Sequence, residues 1–328
     1  MHMLSPMLPP GWRVESLPYA SRDEWLALRQ ADLTASEAGA LFGVHKYVTP
    51  RKLTFEKQYG ENRPQNASMR RGKIMEPAVA EAIHIDLGWK MRRSDTYLRA
   101  RAADPLVRLG ATRDYHLHVT REEVMRSPLA GQAEALGWDR QDELTLAVEC
   151  KSVDQYVHEE EWGAGVPRYH IVQAAQQALL ADADGAVVAC LIENRRKDLL
   201  LYAVPRKPVF EAELIARVRE FWSRYEAGDE PYPAQGGDNA EMSTYFPEVN
   251  TDMVVDLSDD PVWEARAREL RDLKATNKRN DKRIDELEAL FKAALGEAPS
   301  AILPGWSISW RADKNKKRTF RCERKSPK

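Results

Sequence analysis

The sequence predicts an α/β (α+β) fold in which helices flank a central mixed sheet. Short apolar runs alternate with longer segments of helical periodicity, in the order helix, strands, helix, strands, helix. The clearest strands are LTLAVECKS (144–152) and AVVACLIEN (186–194), and the strong helix PRYHIVQAAQQALLADAD (167–184) lies between them. The chain has 328 residues, of which 43% are hydrophobic, so it can bury a substantial core.

The remaining elements are predicted from periodicity and from the residues at their ends. Helices are predicted at 22–31, after the turn at 33–36, at 70–88 and at 207–228. A strand or hairpin is predicted at 108–119, an irregular insert with one short helix at 121–143, and a hairpin partner of the strand 186–194 at 199–206. Thr34 or Ser36 is expected to cap the second helix, because hydroxyl side chains accept hydrogen bonds from free N-terminal amides.

A domain boundary is predicted between residues 234 and 235. The stretch EPYPAQGGDN (230–239) is rich in Pro, Gly and polar residues, as linkers are. Residues 1–234 would form the main domain, and residues 235–328 a linker, a highly charged helix at 260–295 and a hairpin at 306–323. Because the apolar stripe of that helix is narrow and interrupted, we expect this accessory part to pack on the core or to form an oligomer contact.

Charge and cysteine content exclude several classes of protein. The 49 Lys and Arg residues nearly balance 51 Asp and Glu residues, so the net charge of −2 gives no global basic field for nucleic acid. Phosphates would be bound by local basic patches, predicted at 70–73, 91–93 and 314–318. Three scattered cysteines indicate neither a zinc site nor a disulfide framework. A cytoplasmic protein without a membrane partner is expected, since neither a membrane-helix nor a signal-peptide pattern is present.

Acidic side chains are predicted to meet at the ends of two strands. Glu149 and Lys151 share one face of their strand, and Cys150 points to the other. Alone, this pair indicates only an ion pair. Asp114, however, ends the preceding apolar strand, and two neighbouring carboxylates need a cation such as Mg²⁺, to which the Cys150 carbonyl would add a third oxygen ligand. Lys151 would then orient or deprotonate a water molecule, or offset developing negative charge.

Other residues compete with this assignment or extend it. Asp104 and Asp139 are weaker alternatives to Asp114, because neither follows so apolar a strand. Glu76 and Gln173 are polar residues on otherwise apolar helix faces. Their ordinary interpretations are a helix-start carboxylate near the helix dipole and a hydrogen-bonded core residue. Their order along the chain, together with Asp114 and the Glu149–Lys151 pair, favours one shared site.

These motifs resemble those of a known family. The chain is similar to the YqaJ-type viral recombinase exonucleases, relatives of phage lambda exonuclease within the PD-(D/E)XK nuclease superfamily, whose core is restriction-endonuclease-like. The similarity covers about residues 22–225. It rests on LRQADLTASEAGALFG (28–43), RRGKIMEPAVAEA (70–82), GATRD (110–114), VECK (148–151) and YHIVQAAQQAL (169–179). The tail motif ISWRADKNKKRTFR (308–321) also resembles C-terminal segments of phage members.

The resemblance implies a role for each residue of the predicted site. Asp114 and Glu149 would ligate metal, Lys151 would serve the nucleophilic water, and Glu76 would complete or support the metal site. The metal would be Mg²⁺, for which Mn²⁺ substitutes, with two ions per site. Asp114 is followed by Tyr115 rather than by the Pro or Gly of many members, which leaves the local turn open.

The resemblance also implies a pocket for a 5′-terminal phosphate. Arg29 and Ser36 have the spacing of an Arg and a Ser that hold this phosphate in lambda-like members. A guanidinium reads phosphate bidentately, and a helix N-terminus supplies amides. The alternative is that Arg29 is a solvated helix charge and Ser36 a plain cap. Tyr169 lies one turn before Gln173 on the same face of its helix, and a contact to DNA is expected from it.

The function implied is magnesium-dependent digestion of double-stranded DNA from an end, in the 5′-to-3′ direction. Such an enzyme would leave 3′ single strands for a single-strand-annealing partner, and would act as a homo-oligomer, commonly a trimeric ring. Two alternatives stay open. One is an endonuclease of the same fold; the other is a non-catalytic scaffold that binds DNA ends.

Overall fold

The structure, a computed structural model, describes residues 8–60, 67–193, 199–228, 232–246, 248, 251, 253–312 and 318–324. The chain divides into two compact units, Met1–Pro247 and Glu248–Lys328. Residues 235–246 therefore group with the first unit, and the domain boundary between 234 and 235 stays a prediction. Of the basic patch at 314–318, only Arg318 lies within the described residues.

The first unit contains helices α1 to α10. They are α1 (Arg22–Gln30), α2 (Ala35–Ala38), α3 (Pro50–Tyr59), α4 (Ala67–Leu87), α5 (Arg121–Met125), α6 (Ala130–Leu136), α7 (Gln155–Glu161), α8 (Arg168–Leu180), α9 (Pro208–Ala227) and α10 (Met242–Tyr245). Two 3₁₀ turns lie at Trp138–Arg140 and Gly236–Glu241. Helix α1 begins where the Ser21 hydroxyl accepts from the Glu24 amide at 3.1 Å, and α4 is followed by Gly88 with a φ of 72°.

Nine strands of this unit form two sheets. The strands are β1 (Arg13–Pro18), β2 (Leu33–Thr34), β3 (Met91–Arg93), β4 (Thr96–Arg101), β5 (Leu109–Thr112), β6 (Tyr115–Thr120), β7 (Glu143–Asp154), β8 (Gly185–Glu193) and β9 (Leu199–Pro205). One sheet has the order β1-β4-β5-β2, and the other β3-β6-β7-β8-β9. Each sheet contains one parallel pair, β2–β5 or β7–β8, among antiparallel pairs. The predicted fold class, mixed sheet flanked by helices, is confirmed.

Helix α8 lies between the two sheets. Its Val172 and Leu179 belong to a core with the four-stranded sheet and α9, whereas Ala174 and Ala178 belong to a core with the five-stranded sheet. A helix that is apolar on most of its surface is stable only when it is buried in this way. The opposite face of the five-stranded sheet packs on α4, through Val79 among others.

The register of the five-stranded sheet leaves part of β7 with one neighbour. Strands β6 and β7 pair only as far as Tyr115 opposite Val148. Strand β7 continues beside β8 to the pair Asp154 and Glu193. Glu149 and Lys151 therefore lie in the middle of a strand, at an edge that β6 no longer covers. The expectation that this strand ends at Ser152 was wrong by two residues.

Two other sequence predictions were wrong in detail. Residues 108–119 form neither one strand nor a hairpin, because β5 joins the four-stranded sheet and β6 the five-stranded one. The chain crosses between the sheets at Arg113 and Asp114, which belong to neither strand. The insert 121–143 contains α5, α6 and a 3₁₀ turn, and its Leu129 and Trp138 are buried in the core against the sheet, so it is ordered structure.

The second unit combines one long helix with a small sheet. Helix α11 (Pro261–Leu295) is capped by Asp260, whose carboxylate accepts from the Val262 amide at 2.9 Å. Strands β10 (Ser300–Leu303), β11 (Trp306–Ala312) and β12 (Arg318–Arg324) follow. The predicted hairpin is present as β11 and β12, and β10 adds a third antiparallel strand that the sequence did not indicate. Across the described ranges, no helix has the length and apolarity needed to traverse a membrane.

Gly110 offers a test of the packing that positions the loop before Asp114. An added Cβ would lie 1.7 Å from the Tyr97 hydroxyl oxygen, and Tyr97 is completely buried. We expect Gly110→Ala to lower the free energy of unfolding by about 1–3 kcal/mol, as overpacked cores do. Urea denaturation measures it. Gly131→Ala, where an added Cβ meets nothing within 4 Å, is the control; equal effects of both changes would contradict the packing.

Candidate active site

A cleft of about 630 Å³ opens at the uncovered edge of β7. Its walls come from α1, α2, α4, β3, β7, α8 and the β5–β6 crossing. The lining contains the predicted carboxyl residues Glu76, Asp114 and Glu149. It also contains cationic side chains, including Lys151 and Arg29. The sequence-predicted residues of the metal site and those of the phosphate pocket therefore face one cavity.

The Glu149 carboxylate is held by three donors. It is almost completely buried, and its Oε1 accepts from Lys151 Nζ at 2.5 Å and from Gln173 Nε2 at 2.6 Å. Its Oε2 accepts from Gln177 Nε2 at 2.6 Å. Val148 and Cys150 point into the core on the other face, as the strand alternation predicts. A buried charge is tolerable only with such partners, so the position of this carboxylate is fixed by β7 and α8.

Asp114 replaces the missing strand neighbour of β7. It directly precedes β6, and its Oδ2 accepts from the Cys150 amide at 2.9 Å, where a backbone carbonyl would bond in a longer β6. In an extended strand the N–H and C=O of one residue point to the same side, so the Cys150 carbonyl faces this side as well. The register thus brings Asp114 beside the Glu149–Lys151 pair.

The pKa values of Asp114 and Glu76 are raised because several carboxyl groups lie close together in a buried place. Burial, followed by the Glu149 charge, raises the pKa of Asp114 well above its usual range. Burial and then Glu149 also raise the pKa of Glu76. Burial alone would lower the pKa of Lys151, but Glu149 and Asp114 outweigh it and raise that pKa. Lys151 is therefore a cation at neutral pH, and it does not neutralise all three carboxyl groups.

The donor set fits a hard divalent cation that shares its coordination with water or phosphate. Mg²⁺ commonly takes one or two carboxylates and completes its shell with other oxygens. Asp114, Glu149 and the Cys150 carbonyl supply oxygens, and the raised pKa of Asp114 indicates that a cation would relieve repulsion there. Within the described residues, no three His, Cys, Asp or Glu side chains converge closely enough to hold a metal by themselves. A cation here would need oxygens from outside the protein.

Glu76 and Gln173 both reach the cleft, from opposite sides. Glu76 lies in the interior of α4, so its interpretation as a helix-start carboxylate was wrong. Gln173 donates a hydrogen bond to Glu149. This bond agrees both with a place in the site and with the ordinary interpretation of Gln173 as a hydrogen-bonded core residue. Two predicted basic patches contribute as well, through Lys73 on α4 and Arg93 on β3.

Arg29 and Ser36 are neighbours in the same cleft. Both terminal nitrogens of Arg29 lie 3.4 Å from the Ser36 hydroxyl oxygen, and the guanidinium lies 4.5 Å from the centre of the Trp25 ring. The Arg29 side chain is only 15% exposed, so it is not a solvated helix charge. The cap of α2 is Thr34, and Ser36 lies inside the helix. Neither ordinary interpretation of this pair holds.

A buried ion pair between Glu37 and Lys57 contacts Arg29. Lys57 Nζ donates to both oxygens of Glu37, at 2.9 and 3.0 Å, and to the Arg29 carbonyl at 2.9 Å. Glu37 also accepts from the Thr34 amide at 2.8 Å and lies 3.7 Å from the Arg29 guanidinium. Although burial opposes it, the charge of Lys57 and then that of Arg29 lower the pKa of Glu37. This network joins α1, α2 and α3.

Three other residues lie away from the cleft lining. The Tyr169 ring lies tilted against the rings of His45 and His170, with centre-to-centre distances of 5.5 and 4.1 Å. Asp104 pairs with Arg219 at 2.8 Å, and Asp139 lies in the 3₁₀ turn of the insert. Of the described residues that line the cleft, none is Tyr169, Asp104 or Asp139. The expected contact of Tyr169 with DNA stays a prediction.

The sequence reasoning missed Gln177 and the Glu37–Lys57 pair. Gln177 lies four residues after Gln173, which is the spacing that places both amides on one helix face, so this signal was available. It donates to the Thr112 carbonyl at 3.0 Å as well as to Glu149. No local pattern marks Lys57, because its partners lie 20 and 28 residues earlier in the chain.

The fold and the cleft define an α+β protein with a carboxylate and lysine cluster at an open strand edge. Residues 24–184 match the model of a family described as the YqaJ-like viral recombinase domain. The matched range contains Arg29, Glu76, Asp114, Glu149 and Gln173. The family resemblance predicted from the motifs is therefore confirmed.

Similar proteins include one curated relative and several solved structures. An uncharacterized protein YqaJ of Bacillus subtilis (strain 168) is 24% identical over 305 residues, which cover 89% of this chain and 83% of the relative. The alkaline exonuclease LHK-Exo of Laribacter hongkongensis has a TM-score of 0.47 and 17% identity, with 69% of this chain and 100% of that chain covered. A phage-related exonuclease of Haemophilus somnus 129PT has a TM-score of 0.42 and 10% identity, with 60% and 96% covered.

The raised pKa of Asp114 predicts a pH-dependent stability in EDTA. The folded state retains this proton above the usual carboxyl pKa of about 3.9, so unfolding becomes easier as pH rises from there through the raised pKa. Asp114→Asn removes this pH-dependent loss of stability, and the side-chain oxygen of the asparagine can still accept the hydrogen bond from the Cys150 amide. We expect its Tm to exceed that of the wild type at neutral pH, by about 2–4 °C for each kcal/mol relieved, and the two to converge near pH 4. Asp86→Asn, at an exposed position of α4, is the control; a lower Tm for Asp114→Asn at neutral pH would contradict the prediction.

The Glu37–Lys57 pair predicts an asymmetry between single and double variants. Lys57→Met leaves the Glu37 carboxylate buried with fewer partners, and should cost about 3 kcal/mol of unfolding free energy. Glu37→Gln combined with Lys57→Met removes both charges and should cost less than the single change. Urea denaturation of the three proteins measures this. A double variant less stable than Lys57→Met would show that the pair is not electrostatically coupled.

Proposed function

We propose that this protein is a metal-dependent deoxyribonuclease of the PD-(D/E)XK type that digests duplex DNA from an end. The observation that carries this proposal is the placement of two sites in one cleft: Asp114, Glu149 and Lys151 on one side, and the Arg29–Ser36 pair on the other. The match to the YqaJ-like viral recombinase domain supports the same conclusion, because the motifs of that family predicted both sets of residues.

The reaction proposed is hydrolysis of a phosphodiester bond. Water attacks phosphorus and releases one proton to solvent, the bond to the leaving ester oxygen breaks, and that oxygen takes up one proton from solvent. Lys151 stays protonated beside Glu149, so its role is to orient the water and to offset negative charge on the phosphate, rather than to act as the base. Glu149 is held by Gln173 and Gln177, so it cannot rotate away during the reaction.

Magnesium is the proposed cofactor, with manganese as a substitute and two ions per site. A bound ion supplies an activated water and a Lewis acid for the phosphate oxygens. Asp114, Glu149 and the Cys150 carbonyl would hold it, and Glu76 would hold the water around it or complete its ligands. Because these residues share a cleft with Arg29, a DNA phosphate held there would supply the oxygens that the protein lacks.

The direction of digestion is proposed to be 5′ to 3′. Arg29 and Ser36 would hold a 5′-terminal phosphate, since a guanidinium and a hydroxyl both donate to phosphate oxygens. Because Arg29 is largely buried and stacks on Trp25, it offers a preorganised terminal site rather than a flexible contact to any backbone phosphate. Production of 3′ strands for an annealing partner, a trimeric ring and a cytoplasmic location belong to the same proposal.

The decisive experiment is a time course on linear duplex DNA labelled at one 5′ end, with and without a 5′-phosphate. Wild type with Mg²⁺ should release labelled mononucleotide at once, and faster from the phosphorylated end. Lys151→Ala should reduce the rate by about 10²–10⁴-fold, because one positioned cation at the reacting phosphate has an effect of that order. Arg29→Ala should mainly abolish the preference for phosphorylated ends.

Each other outcome assigns a different function. A ladder of internal cuts, equally sensitive to Lys151→Ala, would replace the exonuclease with an endonuclease. Stable binding of DNA ends without cleavage would indicate a scaffold. An unchanged preference for phosphorylated ends in Arg29→Ala would remove the proposed phosphate pocket while leaving the proposed catalytic residues in place.

Metal binding is tested independently of cleavage. At a Mg²⁺ concentration of 100 times its Kd, the wild type should gain about 2.7 kcal/mol of stability over the same protein in EDTA. Glu149→Gln should lose this gain, because a neutral amide binds the cation poorly. Glu81→Gln, an exposed position on α4, should retain it. Equal stabilisation of wild type and Glu149→Gln would place the ion elsewhere.

A further inference from the structure

Helix α11 exposes an apolar seam that nothing in the proposed function uses. Every residue from Pro261 to Leu287 is exposed. The large apolar residues on this stretch include Trp263, Leu270, Leu273, Ile284 and Leu287, each between 41% and 57% exposed. Such a row of large side chains in water marks a surface that binds something.

The seam follows a seven-residue repeat. Positions 263, 270, 277, 284 and 291 recur every seven residues, and positions 266, 273, 280, 287 and 294 fall three residues after them. This is the a and d pattern of a coiled coil. The opposite face carries charged residues and Ala, among them Arg268, Ala275, Lys282 and Ala289, and has no large apolar side chain. The repeat therefore defines one seam, and Arg266 is its one charged position.

Two asparagines interrupt the seam at its centre. Asn277 occupies an a position and Asn280 the next d position, between the apolar layers of Leu273 and Ile284. An apolar partner would leave both amides without hydrogen bonds, which costs free energy in a buried layer. A second copy of the same helix, parallel and in register, places Asn277 opposite Asn277 and Asn280 opposite Asn280. An asparagine at an a position favours a defined register and oligomeric state in this way.

The residues flanking the seam also match a second copy. In a parallel pair each g position meets the e position five residues later on the other helix. Glu269 then meets Lys274, and Arg283 meets Glu288, so two helices form four contacts of opposite charge. The flanking pairs between position 262 and 267 and between 276 and 281 bring no like charges together. Antiparallel pairing about the asparagines would leave only the contact of Lys274 with Asp281, formed twice.

We propose that α11 is a self-association element, which forms a parallel two-stranded coiled coil with α11 of a second copy of this chain. Ile at an a position followed by Leu at the next d position, as in Ile284 and Leu287, favours two strands over three. The seam from Trp263 to Leu287 spans 25 residues, about 37 Å of helix. This pairing is separate from the cleft and does not depend on the proposed nuclease activity.

The first test measures the mass of the full chain by light scattering after size-exclusion chromatography. Leu273→Glu combined with Ile284→Glu puts charge into the seam, at exposed positions where the fold of one chain is not at risk. The control, Ala275→Glu combined with Ala289→Glu, adds the same charge to the opposite face. The seam variant should have half the mass of the wild type and of the control, whatever further association the first unit contributes.

Several results would overturn the proposal. They are a wild type with the mass of one 37.4 kDa chain, equal masses for the wild type and the seam variant, and a threefold fall in mass. Equal masses with a lower Tm in the seam variant alone would show that α11 packs within its own chain. Loss of association in the control as well would assign the effect to charge rather than to the seam.

The second test addresses direction and register. Asn277→Cys in a Cys322→Ser background has one exposed cysteine, since Cys150 and Cys190 are buried. Mild oxidation should yield a disulfide-linked dimer that reductant reverses, because in a parallel, in-register pair these two thiols face each other. The same cysteine with Leu273→Glu and Ile284→Glu should not cross-link. Absence of a cross-link in the otherwise unchanged seam would rule out the parallel register.

Discussion

Burial of the Glu149 carboxylate is the constraint on which the cleft depends. A charged group without water needs donors on both oxygens, and here they come from Lys151 on its own strand and from Gln173 and Gln177 on α8. Strand β7 and helix α8 must therefore lie at one separation and in one register. Replacing any donor by an apolar residue leaves part of a charge unsatisfied, which costs more than a surface hydrogen bond contributes.

Helix α8 transmits this constraint to the other sheet. Gln176 donates to the carbonyls of Leu33 and Gly110, both at 2.9 Å, and Gln177 donates to that of Thr112. These carbonyls lie on β2 and β5, the strands that lead into α2 and into the Asp114 crossing. Neighbouring glutamines on one helix thus fix both walls of the cleft. The polar residues of this otherwise apolar helix are its structural connections to two sheets.

The sequence predicted what depends on local periodicity, and failed where the answer depended on distant pairing. The alternation of VECK placed Glu149 and Lys151 on one face, and the periodicity of α8 placed Gln173 on a helix beside them. The departure of β6 from β7 after Val148 has no local signal, because it is set by which sheet each strand joins. For the same reason 108–119 resembled a continuous strand or hairpin. The role of Lys57 could not be predicted from the sequence, because it follows from contacts with two helices that precede it in the chain.

The shared anchoring by α8 has a thermodynamic consequence. One helix holds the carboxylate beside Asp114 and also the strand that leads to Ser36, so the two halves of the cleft rest on one rigid element. A ligand that orders one half reduces the conformational entropy that a ligand of the other half must still lose. Binding in the two halves would then be linked, and because linkage is reciprocal each ligand would raise the affinity of the other by the same factor. Such a cleft would bind the two ligands proposed for it, the strand end and the cation, cooperatively.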